Sequence, residues 1–160
     1  PSGSPGAFSE ETIALQELVR IIAGLPAWAM FGFILLKNIS AILFSFVLSP
    51  FFLIIPIMSL LVNGWLVGVV ANAVVAEQSV GYLLAGLLPH GVFELPALFI
   101  AEAAALSFGV AAMRAVFDTS RRDQLAPTLR TNLKYLGLAA VLFLPAALME
   151  TFVTPLLLRG

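Results

Sequence analysis

The chain has 160 residues, 61% of them hydrophobic and 11% charged, and its mean hydropathy is +1.05. A water-facing domain carries about 25% charged residues and cannot hide this much apolar surface in one core, so the surrounding medium is lipid. Eight Lys and Arg stand against nine Asp and Glu and no cysteine is present, which excludes the basic field of a nucleic-acid binder, a disulfide framework and a thiolate metal site.

Residues 1–9, PSGSPGAFS, are small and unpatterned; they read as a flexible tail or a cloning remnant. No basic region followed by an apolar one precedes the first helix, so no signal peptide is expected. Residues 10–24 form an amphipathic helix. Ser9 is its cap, Glu10 and Glu11 occupy the first turn, and Ile13, Leu15, Leu18, Ile21 and Ile22 form its apolar face. With Glu17 and Arg20 among them it is too polar to span. It lies in the membrane interface or serves as a plain linker.

A hydrocarbon core of about 30 Å takes about 20 apolar residues per helix. Residues 26–48 supply one span, Ser49-Pro50 breaks it, and residues 51–75 supply a second. After the polar turn 76–79, residues 80–113 stay apolar for longer than one straight span and contain Pro89, Gly91 and Pro96. A broken or re-entrant helix is expected around 89–96. Residues 114–134 form a polar loop, and 136–157 the last span. The fold expected is therefore an all-α, polytopic transmembrane helix bundle: one domain over residues 10–160, with an interfacial helix at its start. Arg114, Arg121, Arg122, Arg130 and Lys134 gather at the polar loop, which places that loop in the cytoplasm of a multi-pass cell-membrane protein. The 76–79 turn, the amphipathic helix and the C-terminus then lie outside.

Ionisable groups inside a bilayer cost about 2.5–3.5 kcal/mol or more and so face a bundle interior or a wet cavity. The expected intramembrane polar cluster comprises Lys37, Asn38, Asn63, His90, Glu94, Glu102 and Glu150. His90 and Glu94, four apart, share a helix face. They form a structural ion pair, line a water-filled path, or belong to a metal site with Glu150 as third ligand. No cofactor is otherwise expected, and no zinc-protease, nucleophile-elbow or phosphate-loop pattern is present. Pro89, Gly91 and Pro96 mark either a cavity lining or a packing kink. Gly64 and Gly68 permit close helix contact, within the chain or in a homodimer. Trp28 and Tyr82 read as interface anchors, and Trp65, near the midplane, as packing.

The run Pro89-His90-Gly91-Val92-Phe93-Glu94-Leu95-Pro96-Ala97 resembles the signature of the stage II sporulation protein M family. Lys37-Asn38-Ile39, Asn63-Gly64-Trp65-Leu66-Val67-Gly68 and Met149-Glu150-Thr151-Phe152-Val153-Thr154-Pro155 resemble further family stretches in the same order. The resemblance covers about residues 30–155. It implies a multi-spanning membrane protein whose namesake acts with cell-envelope partners that remodel peptidoglycan. Members in archaea lack that substrate. Two departures stand out. Family members carry a membrane helix before the amphipathic region, so the chain is read as a truncated or processed piece. Glu102 also occupies a position where a small residue is usual.

Three functions follow in order of expectation: a membrane scaffold or assembly component held in register by its polar cluster, a small-solute or ion transporter or channel using that cluster, and an intramembrane metal-dependent hydrolase. The expected partners are the lipid bilayer, a second copy and envelope proteins.

Overall fold

In lipid no water satisfies an exposed peptide group, so each long apolar run must close its hydrogen bonds within a helix. The computed structural model describes residues 24–158, and among them it is entirely helical between short turns. The tail and, apart from Gly24, the amphipathic helix expected over 10–24 lie outside the described residues. Helix α1 spans Ala27–Leu48, α2 Ile54–Glu77, α3 Val80–Phe117 and α4 Leu125–Leu148. A π-helical turn, Met149–Val153, and one further turn, α5, Thr154–Leu157, continue α4. Four stretches among the described residues are long and apolar enough to cross a bilayer, and the chain is a multi-pass membrane protein.

The boundaries have local causes. Pro26 is extended and its carbonyl accepts from the Ala29 and Met30 amides, opening α1. The α1–α2 turn closes with the Phe51 and Phe52 amides donating to the Leu48 carbonyl. Ser49 itself stays right-handed helical despite preceding Pro50; the helix ends after it, where Pro50 has no amide to give. Ser79 is extended, and its hydroxyl accepts from the Tyr82 amide to cap α3.

Two expectations are corrected. The break around 89–96 is absent: α3 runs through Pro89 and Pro96 as one 38-residue helix. Each proline removes only its own amide, leaving the Ala85 and Val92 carbonyls without a helical donor, and packed neighbours in a membrane tolerate that loss. The polar loop over 114–134 is also mostly helical. Arg114 lies in the last turn of α3, a 3-10 turn occupies Thr119–Gln124, and Arg130 and Lys134 lie on α4. At 1.5 Å per residue α3 is about 57 Å long, well beyond the hydrocarbon thickness, so polar residues follow the helix out of the oil.

Helices α3 and α4 form the broadest contact, and α1 closes over them. The core joins Ile42 and Phe46 of α1, Ala97, Leu98, Ala101, Ala104 and Ala105 of α3, and Leu136, Ala139 and Phe143 of α4. Lipid tails are as apolar as leucine, so close backbone approach rather than hydrophobicity drives this packing; the α3 alanines supply it. Gly109 is the extreme case. A Cβ there would stand 2.6 Å from the Ser49 carbonyl oxygen and 2.7 Å from Leu53 Cδ2. That contact fixes the level of α3 against the α1–α2 turn. By contrast α2 has only Pro56 buried.

Candidate functional site

The contact at Gly109 sets a depth scale. Counted along α3 from Gly109, Glu102 lies about 10 Å in, Glu94 about 22 Å and His90 about 28 Å. The polar side chains accordingly form two groups at different depths instead of one.

The first group is built on Glu102, which is 1% exposed. Its Oε2 accepts a hydrogen bond from the Ser45 hydroxyl of α1. Its Oε1 accepts from Ser59 Oγ of α2 at 2.6 Å. One carboxyl group therefore joins three helices. A carboxyl group needs such partners in oil, because an unpaired buried one is penalised by the full loss of hydration. Hydroxyls bonded to it also satisfy their own donors. Ser45 is buried beside it.

The second group lies toward the far end. His90 Nε2 is 4.0 Å from Glu94 Oε2, a loose ion-pair contact beyond hydrogen-bond length. Glu150 lies within electrostatic reach of His90, Glu94 and Lys37. It sits on the π-helical turn, a distortion that re-aims side chains and is frequent at functional positions. The His90 Nδ1 and the hydroxyls of Thr151 and Thr154 are buried without a protein hydrogen-bond partner among the described residues. A cleft of about 70 Å³ beside His90 is lined by Asn63, Gly91, Glu94 and Leu98 among others, room for a few waters.

Asn63 links the two groups. It lines the His90 cleft, while its Nδ2 donates to the Ser59 carbonyl at 2.8 Å, one turn from the Glu102 tie. Asn38 is buried on α1, 6% exposed. Lys37 is exposed on the same helix, so its placement in the cluster is corrected: only its charge reaches inward, to Glu150. His90, Glu94 and Glu150 do not form a metal-ligand group, and no other three His, Asp or Glu side chains do among the described residues. Pro89 and Pro96 stand in the continuous helix, flanking buried Gly91. Gly64 and Gly68 face open space, with nothing within 4 Å of either Cβ position, so they make no close packing within the described chain. Trp65, expected to pack, is 66% exposed because it lies on the uncovered side of α2. Trp28 instead packs against Phe152, ring centroids 4.9 Å apart.

Three parts of this arrangement escaped the sequence reading. Ser45 and Ser59 look like ordinary small residues in apolar runs; their only signal is a hydroxyl at the depth of an acid. The π turn has a weak signal in Pro155, which has no amide to offer the Thr151 carbonyl four residues before it. Asn132, whose Nδ2 donates to Ser107 Oγ at 3.2 Å between α4 and α3, was hidden among loop residues.

The family model described as "Stage II sporulation protein M" matches residues 5–155. An uncharacterized protein of Methanocaldococcus jannaschii is 25% identical over 126 residues, 78% of this chain and 71% of its own length. No solved structure matches.

Proposed function

The chain belongs to the stage II sporulation protein M family, and on that premise we propose that it is a membrane scaffold, an assembly component whose intramembrane polar groups hold its helices in one register. The observation that carries this reading is the Glu102 tie. Its two oxygens are occupied by hydroxyls from two other helices, an arrangement suited to holding α1, α2 and α3 together. A scaffold also needs a face to offer. Helix α2 supplies it: largely apolar, nearly uncovered by the rest of the chain, and open at Gly64 and Gly68. A second copy or a membrane-embedded envelope partner fits such a face, because small residues let helix backbones approach. The basic end, from Arg114 to Lys134, faces the cytoplasm in this reading, by the bias of Lys and Arg.

A transporter or channel is the second reading, favoured by one observation: the cleft beside His90, Glu94 and Asn63 adjoins a buried imidazole nitrogen with no protein partner. The metal-dependent hydrolase draws no support from geometry, since its three proposed ligands do not assemble. Glu94→Gln separates the first two. The scaffold reading expects liposome proton or cation flux no different from protein-free vesicles before and after that substitution, and a clear fall in detergent melting temperature on Glu102→Gln instead, where the tie lies. Flux that depends on Glu94 while melting is unchanged overturns it.

A further inference from the structure

One recess among the described residues lies apart from both polar groups. A groove of about 550 Å³ runs between α3 and the start of α4, floored by Ala103, Ser107 and Ala111, with Arg114 and Arg121 at its mouth. At Ala103 and Ser107 it continues into a hollow of about 310 Å³ that reaches Ile100 and Tyr135. The small residues Ala103, Ser107 and Ala111 recur every four positions, so they lie along one line of α3 and leave a trough.

The depth of this trough follows from Gly109, which is level with the α1–α2 turn. Arg114 lies about 7 Å past it, in the headgroup layer, and Ala103 about 9 Å before it, in the hydrocarbon. From Ala103 to Arg114 is about 16 Å, close to the half-thickness of about 15 Å of one leaflet. The trough is thus apolar where acyl chains lie and cationic where phosphates lie. Among the described residues the one arginine–carboxylate ion pair at this end is Arg121 Nε with Asp118 at 2.9 Å; it leaves the two terminal nitrogens of Arg121 free. Among the described residues no carboxylate pairs with Arg114. Gln124 and Thr128 add hydrogen-bonding groups at the mouth.

We propose that this trough is a binding site for an anionic phospholipid, with the phosphodiester on Arg114 and Arg121 and one acyl chain along Ala103 and Ser107 toward Tyr135. Two guanidinium groups match a phosphodiester. The surplus of Arg122, Arg130 and Lys134 over Asp123 disfavours the ammonium of a zwitterionic headgroup. The site rests only on the chain being in a membrane, and is independent of the scaffold reading.

The test is native mass spectrometry and thermal melting of the full chain with phosphatidylglycerol, phosphatidylcholine or soluble glycerophosphate. Phosphatidylglycerol is retained about tenfold better than phosphatidylcholine and raises the melting temperature, while glycerophosphate does neither. The double variant Arg114→Gln with Arg121→Gln removes the preference. Ala103→Leu fills the trough without touching charge and lowers retention of phosphatidylglycerol. Equal retention of the two lipids by the unaltered chain overturns the proposal, as does glycerophosphate binding as well as the lipid. Full retention by Ala103→Leu, or by the arginine variant while it remains folded, overturns it too.

Discussion

A carboxyl group placed in oil reveals what a membrane bundle does with polar atoms. Glu102 keeps both oxygens occupied by hydroxyls. His90 and Glu94 keep only a loose contact beside a small cleft. The difference follows from packing: Glu102 lies where three helices meet and is sealed there, while His90 and Glu94 stay partly exposed beside the cleft. Removing the Glu102 carboxyl while leaving Ser45 and Ser59 in place should be costly, since it strands the buried Ser45 hydroxyl and the half-buried Ser59 hydroxyl. Glycine teaches a related lesson. At Gly109 a methyl group meets the Ser49 backbone, so Gly109→Ala is expected to destabilise by about 1–3 kcal/mol, read as a lower melting temperature in detergent. At Gly64 and Gly68 there is open space, and alanine at either should leave the melting temperature of the monomer unchanged.

At the scale of the element, α2 and the 3-10 turn make separate predictions. Helix α2 packs little within the chain, so Gly64→Leu with Gly68→Leu should preserve helicity and monomer melting while abolishing a dimer seen by cross-linking in membranes; a dimer that survives places the contact elsewhere. The turn Thr119–Gln124 is organised by Asp118, whose carboxylate accepts from Ser120 Oγ at 2.6 Å, Arg121 Nε at 2.9 Å and the Ser120 amide at 3.1 Å. These bonds, the Ser120 hydroxyl first, hold the Asp118 carboxyl below its ordinary value. A depressed folded value means that the turn gains stability at neutral pH and loses it as pH falls below about 4. Carbon-13 titration of the Asp118 carboxyl should show its midpoint below that of an unfolded peptide; a midpoint at the peptide value contradicts the turn as described.

For the molecule as a whole, the sequence carried the architecture further than it carried the site. Long apolar runs separated by Ser49-Pro50 and by Glu77-Gln78-Ser79 define helices because lipid allows nothing else. The misreading at Pro89 and Pro96 came from weighing the lost amide of a proline without the neighbours that support the remaining turns. Arg114 to Lys134 read as a loop because polarity was taken for irregularity, although a helix leaving the bilayer is polar too. The site was legible in its acids, since Glu94, Glu102 and Glu150 have no business in oil without partners. It was illegible in its donors: Ser45 and Ser59 are meaningful only once α1 and α2 are placed beside α3, and no local pattern encodes that register.

Intramembrane polar groups act here as ties between helices. The most direct measurement is a double-mutant cycle on Ser59→Ala and Glu102→Gln, read as unfolding free energy in bicelles. A tie through the Ser59–Glu102 hydrogen bond gives a coupling of about 0.6–1.7 kcal/mol, the size found for hydrogen bonds between membrane helices. Strictly additive single substitutions, each with little loss of stability, would contradict it.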